Sequence, residues 1–397
     1  MTLERRTLHQ LLIFSCGLFA VQTFWGFNMA TFPLYLNAIT GSKPLTGIIL
    51  SIAGIFGAVF PVFIGGLSDR THTRWGRRKP FILAGWAAVL VSLMLLAWTQ
   101  DIRVVLPLSV VLYAGFFTVM GPYFALLPDL TPQEQRGIAS GLMFLMGGIG
   151  VLSFMFLGAR SWDVSPRLPF LWAVAGIAVS VAVLMAGTRE LPSRAPSIRS
   201  GGLLRDTLRH RPVLIFLAAM ACWWTGLWMV FMFFVIAVRE MFAINTERAV
   251  TIMVFMIAVF CVSALPAGML GDRFGQRRVT AIGLVLLIVG LAATGLAESL
   301  AAVWIMLCLG GIGYAAVLTV AYTYYLRLIP PEQSAGYMGL YMACQNGALL
   351  TGPAIGGLVI DLLGPRFLFF GAAAFVAAGL ALLLLSRPVE KGQREGA

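Results

Sequence analysis

The chain has 397 residues, 59% of them hydrophobic and only 11% charged, with 28 Lys and Arg against 16 Asp and Glu. Water-soluble domains carry roughly 25% charged residues, so this composition excludes a core folded in water and reads as a chain solvated by lipid. The net charge of +12 reads as membrane topology rather than as a nucleic-acid footprint.

Crossing the hydrocarbon core of a bilayer takes about 20 mostly apolar residues per helix. Apolar stretches of that length predict spans over 11–38, 45–67, 80–99, 104–127, 137–159 and 168–187, then 213–238, 249–270, 279–297, 301–326, 334–360 and 366–386. The segment 188–212, rich in Arg, Ser, Pro and Gly, divides these spans six and six. It predicts an N-terminal bundle over 1–187, a linker over 188–212 and a C-terminal bundle with a short tail over 213–397. Of the 28 Lys and Arg, 21 lie in the segments on the side of the termini, and cations gather on the cytoplasmic side. Both termini are expected in the cytoplasm of a cell whose plasma or inner membrane holds the protein, and no cleaved leader is expected.

Cys16, Cys222, Cys261, Cys308 and Cys344 fall singly within spans, a pattern of small packing residues rather than of a disulfide framework or metal site. No cofactor is expected. No nucleophile, base and orienting group fall together, so an enzyme is not expected either.

Two motifs recur. Gly65-x-x-x-Asp69-Arg70 with Gly76-Arg77-Arg78 follows the second span of the first half, and Gly268-x-x-x-Asp272-Arg273 with Gly275-x-Arg277-Arg278 follows the second span of the other. Pro132-x-Glu134-Gln135 with Gly141 is matched by Pro330-x-Glu332-Gln333 with Gly339. Two repeats in the same order predict duplicated halves running parallel, an arrangement in which transporters place their binding site near the bilayer midplane.

These motifs and the twelve spans resemble the major facilitator superfamily. The first loop, Asp69 to Pro80, is four residues longer than its copy; with Gln22 to Asn28 and Gly121-Pro122 through Asp129-Leu130 it is similar to the glycoside and sucrose cation symporters. The resemblance implies a cytoplasmic gate. Asp69 would face the start of the eleventh span and Arg70 would bond Asp129, while Asp272 would face the start of the fifth span and Arg273 would approach Glu332. Gly65, Arg77, Arg78, Glu134 and Arg277 complete the gating set. For Arg74, Arg77, Arg78 and Lys79 the alternative is contact with lipid phosphates.

Every Asp and Glu lies in a loop or at a span end. The acid that sucrose symporters carry in the fourth span and the Arg after their Gly-Pro are replaced here by Tyr113 and Phe124, and Ile55 to Ile64 lacks the carboxylates of the glycoside symporters. The midplane offers instead Gln22, Trp25 and Asn28 on one face of the first span. It also offers Tyr113, Trp224 and Trp228, Tyr314 and Tyr322, and Gln345 with Asn346. These residues are the expected substrate contacts, because aromatic rings with a few amides suit a neutral solute. Gly352-Pro353-x-x-Gly356-Gly357 is expected to be a hinge or packing face, and the fifth span lacks the Gly-Pro signature known from drug antiporters.

The expected function is carriage of a neutral sugar-like or small organic solute by alternating access, with H+ or Na+ as the candidate coupling cation, membrane lipid as surroundings and a monomer as the working unit. The alternatives are an exporter of amphipathic compounds and, in a different class, a non-transporting receptor or assembly factor of the same fold.

Overall fold

A computed structural model describes residues 7–71, 73, 75–132, 135–188, 210–329 and 334–385. The first unit contains α1 (Leu8–Ala30), α2 (Phe32–Thr40), α3 (Lys43–Arg70), α4 (Lys79–Leu96), α5 (Ile102–Leu130), α6 (Arg136–Ser153) and α7 (Leu168–Gly187). Then come α8 (Arg211–Phe242), α9 (Thr246–Phe274), α10 (Gln276–Leu296), α11 (Leu300–Leu328), α12 (Ser334–Leu363) and α13 (Pro365–Leu385). Among the described residues, 12 helical stretches are long and apolar enough to cross a membrane, α1 and α2 together forming the first. The protein is an integral, multi-pass membrane protein.

Local chemistry sets the ends of these helices. Thr7 and Gln10 form a reciprocal capping box at the start of α1, and Ser42, Asp101 and Ser299 accept from first-turn amides of α3, α5 and α11. Each cap satisfies a donor that the helix leaves without an internal partner. The first span departs from the uninterrupted stretch expected over 11–38. Pro33 lacks an N–H and its ring crowds the carbonyl one turn back, so the helix breaks at Thr31 and restarts at Phe32, with Pro33 in the first turn where no donor is needed. The fifth span also runs past its expected end, passing through a π turn at Phe154–Gly158 and a 3-10 turn at Ala159–Asp163.

The chain divides by its contacts into two compact units, residues 1–198 with 244–251, and 199–243 with 252–397. In the first, α1 packs on α6 and α7, and α4 packs on α5 and α7. In the second, α8 packs on α12 and α13, and α10 packs on α11 and α13. These four pairings correspond one to one between the units.

The repeat extends to single contacts that neither motif contains. A Cβ on Gly85 would lie 2.6 Å from the carbonyl oxygen of Gly115, and one on Gly115 would lie 2.8 Å from that of Gly85. In the second unit a Cβ on Gly313 would lie 2.7 Å from the carbonyl oxygen of Gly283. The two glycine pairs stand 198 positions apart. In lipid, where apolar surface gives helices no preference for one another, such close backbone approach is what drives their association.

Gly352 of α12 is a packing residue of the same kind, since a Cβ there would meet Trp228 Cβ at 2.7 Å and the Thr225 carbonyl at 2.8 Å. Gly76 (φ 104°) and Gly275 (φ 92°) turn the chain into α4 and α10 with dihedrals that other residues rarely adopt.

Candidate functional site

At one end of the first unit, the Asp129 carboxylate, at the end of α5, receives Arg77 Nη2 at 2.8 Å on both oxygens and Arg78 Nε at 3.3 Å. Arg78 also donates to Ser68 Oγ at 2.6 Å and to the Gly65 carbonyl at 3.4 Å, which ties α3 to α5. Both arginines are more than nine-tenths buried. Asp129, the carboxylate that the resemblance offered to Arg70, thus accepts from Arg77 and Arg78. They come from the loop's far end, which the turn at Gly76 brings back over α5.

Lys79 Nζ donates to the carbonyls of Met185, at 3.1 Å, and Thr188. A cation at a helix C-terminus meets the negative end of the helix dipole. Arg277 does the same work in the second unit, donating to Leu383 at 3.3 Å and Leu384 at 2.8 Å. Lys79 and Arg277, like Met185 and Leu383, are 198 positions apart. Arg277 therefore corresponds to Lys79 and anchors the last helix, whereas the sequence motif had aligned it with the gating arginines. In this register Arg78 is matched by Gln276 and Asp129 by Arg327, so the cluster's charge pattern is not repeated. Asp272 and Arg273 are exposed, with Arg273 5.3 Å from the Phe274 ring. Glu134 and Glu332 lie outside the described residues, as does the side chain of Asp69.

Some of the expected substrate contacts come together within each unit. In the first, Trp25 stands edge-on to Phe116 at 5.5 Å and to Phe117 at 6.5 Å. Trp25 and Gln22 are partly exposed. One turn on, Asn28 and Tyr113 are fully buried, and the Tyr113 hydroxyl donates to Asn28 Oδ1 at 2.7 Å. These two bind each other across α1 and α5, as polar groups inside a membrane helix bundle do. Tyr113→Phe is expected to lower stability by about 1 kcal/mol, read as a lower unfolding temperature in detergent, with a smaller change in transport than a Trp25 substitution causes.

In the second unit, Trp224 and Trp228 stack at 5.7 Å and Tyr314 closes the group, 6.4 Å from Trp224, 5.4 Å from Phe231 and 5.0 Å from Phe260. The Trp228 indole N–H donates to the Gln345 carbonyl at 3.3 Å, fixing the ring against α12. Asn346 Nδ2 donates to Met342 one turn back, at 2.9 Å. Tyr322 is exposed and lies edge-on to Tyr341 at 5.7 Å. Phe116, Phe117, Phe231 and Phe260 were not expected; a phenylalanine in an apolar span gives no sign of which face it takes.

Comparison with known proteins agrees with this architecture. The family model described as the Major Facilitator Superfamily matches residues 14–262 and 246–397. Sucrose transport protein SUC3 of Arabidopsis thaliana is 26% identical over 242 residues, which is 50% of this chain and 41% of that protein. The tetracenomycin C resistance and export protein of Streptomyces glaucescens is 34% identical over 137 residues, 33% of this chain and 25% of that protein. The matches thus span less than half the length of these relatives.

Among solved structures, the nucleoside transporter NupG superposes with a TM-score of 0.77 at 17% identity, covering 95% of this chain and 97% of NupG. A bacterial homologue of the lysosomal transporter Spinster, inward-facing and occupied, gives 0.74 at 16%, covering 96% and 95%. Both likenesses are of fold. The aromatic clusters stand on a scaffold whose family model covers nearly the whole chain, and the chain belongs to the Major Facilitator Superfamily.

Proposed function

We propose that the protein carries a neutral, ring-bearing polar solute, sugar-like in kind, across the membrane by alternating access, with both termini cytoplasmic and two parallel six-span halves joined through 188–212. The observation that carries this reading is an aromatic cluster in each unit, Trp25 with its phenylalanines in the first and Trp224, Trp228 and Tyr314 in the second. Apolar ring faces of a sugar or nucleoside stack on such side chains while its hydroxyls meet amides such as Gln22. The acids lie in loops or at span ends, so a strongly cationic solute has no counter-charge at mid-membrane. Transport proteins for sucrose are among the relatives, which supports the same class.

A thermal-shift screen of neutral sugars and nucleosides on the detergent-solubilised protein tests the reading, since a ligand of the native state raises its apparent stability. A shift by such a solute is expected, together with its loss in Trp25→Ala and Trp224→Ala. Each substitution is expected to weaken apparent affinity by about tenfold, the upper end of what one aromatic contact gives beyond its buried area. Stabilisation by amphipathic drugs alone would favour the exporter reading, which the likeness to the tetracenomycin C export protein supports.

A further inference from the structure

We propose that the groove between α1, α6 and α7 in the first unit is a site for one acyl chain of a membrane phospholipid. The groove has a volume of about 450 Å³ and is lined by these three helices and by the π turn that follows α6. α1 packs on both α6 and α7, and α7 meets the π turn. α1 is therefore its floor, and the π turn closes one end.

Among the described residues its lining holds no charged side chain, and each hydroxyl or thiol there is already bonded to backbone. Cys16 donates to the Leu12 carbonyl at 3.4 Å, Thr23 and Ser153 to that of Gly150 at 3.3 and 2.9 Å, and Ser180 to that of Gly176 at 2.7 Å. A buried water needs several polar partners, and these groups are spent. Left empty, the walls would forfeit their dispersion contacts. Hydrocarbon suits such a groove, and the mouth opens to it: Leu157, Trp172, Val179 and Val183 are exposed on spans that lipid surrounds.

Along α7 the lining runs from Trp172 to Val183, about 16 Å at a rise of 1.5 Å per residue. That is the depth of one leaflet, half of a hydrocarbon core roughly 30 Å thick. Trp172 stands one turn into α7, where indoles anchor at the membrane surface, so the chain enters from the leaflet opposite the termini. Arg167, the residue before α7, is exposed, lies 4.5 Å from the Trp98 ring and has no carboxylate partner among the described residues. It offers a cation to the lipid's phosphate at headgroup depth.

Gly176 keeps the groove open. A Cβ there would come no closer than 3.6 Å to Thr23 and 3.7 Å to Phe19, so helix packing does not demand a glycine. At Gly150 it does, since a Cβ would lie 2.4 Å from the Phe19 carbonyl oxygen. A larger side chain at 176 would instead fill the space.

The test uses the full-length protein, delipidated in detergent and titrated with a phosphatidylcholine that carries a diazirine midway along one acyl chain. After photolysis, labelled peptides are read by mass spectrometry. Groove peptides of α6 and α7 are expected to label saturably, and α10, whose Val285 and Val289 are exposed, only in proportion to the lipid added. Gly176→Leu is expected to abolish the saturable labelling and leave that of α10 unchanged. Val179→Trp, at a residue 65% exposed, should reduce it without disturbing helix packing. Groove labelling that never saturates, or that neither variant lowers, overturns the site. Equal labelling by a fatty alcohol with the same diazirine chain would overturn the assignment to a phospholipid. No solute is carried in this measurement, so its result stands apart from the proposed function.

Discussion

Asp129→Asn is expected to destabilise the protein by about 2–3 kcal/mol, seen as loss of monodisperse material on heating in detergent. Removing one member of a buried ion pair costs more than the pair contributes, because the partner's charge stays out of water. Here one carboxylate serves two guanidinium groups, at 2.8 Å and 3.3 Å, both on nearly buried side chains. The Asp129 side chain is itself 20% exposed, which places the estimate below the cost of a fully enclosed pair. Adding Arg78→Gln, the residue that Gln276 supplies in the second unit, is expected to recover part of the loss by removing a cation left uncompensated. Additive losses in the double variant would show that Arg78 and Asp129 do not act together.

Gly115→Leu is the second large effect. At 2.8 Å from the facing carbonyl oxygen, a Cβ already overlaps the Gly85 backbone, and an isobutyl group forces α4 and α5 apart. Overpacking typically costs about 1–3 kcal/mol when side chains can shift, and facing backbones have no such freedom, so the upper end is expected. Gly313→Leu, its counterpart in the second unit, should behave alike. Folded yield by fluorescence-detected chromatography checks both. Unimpaired yield in the pair would mean that the contact between glycine backbones does not hold these helices.

The twelve spans were legible because each must be apolar over the bilayer's thickness, a demand that leaves its mark on about 20 consecutive residues. The duplication was legible from Asp69-Arg70 and Pro132-x-Glu134, but its register within the loop was not. Matching Arg77-Arg78 to Arg277-Arg278 follows residue type, whereas the carbonyls that Lys79 and Arg277 bind show the true correspondence. Helix ends seen only in three dimensions decide it.

The aromatic candidates were legible as types and only partly as roles. Trp224, Trp228 and Tyr314 come together, while Asn28 and Tyr113 turn to each other. A sequence shows that a buried amide needs a partner and not which helix provides it.

The two units carry unequal chemistry on equal scaffolds. The first keeps the buried Arg77–Arg78–Asp129 cluster, where the second has Gln276 and Arg327 at the matching positions. Two copies with different ionic contacts need not resist movement equally, which a carrier can use to bias one access state over the other.

Solute counterflow with purified protein in liposomes bears most directly on the proposed function. Vesicles preloaded with an unlabelled neutral sugar or nucleoside should take up the labelled compound in a saturable way, and Trp25→Ala and Trp224→Ala should weaken that uptake. Exchange of charged solutes only, or uptake indifferent to both tryptophans, would contradict recognition of a neutral solute by these aromatic side chains.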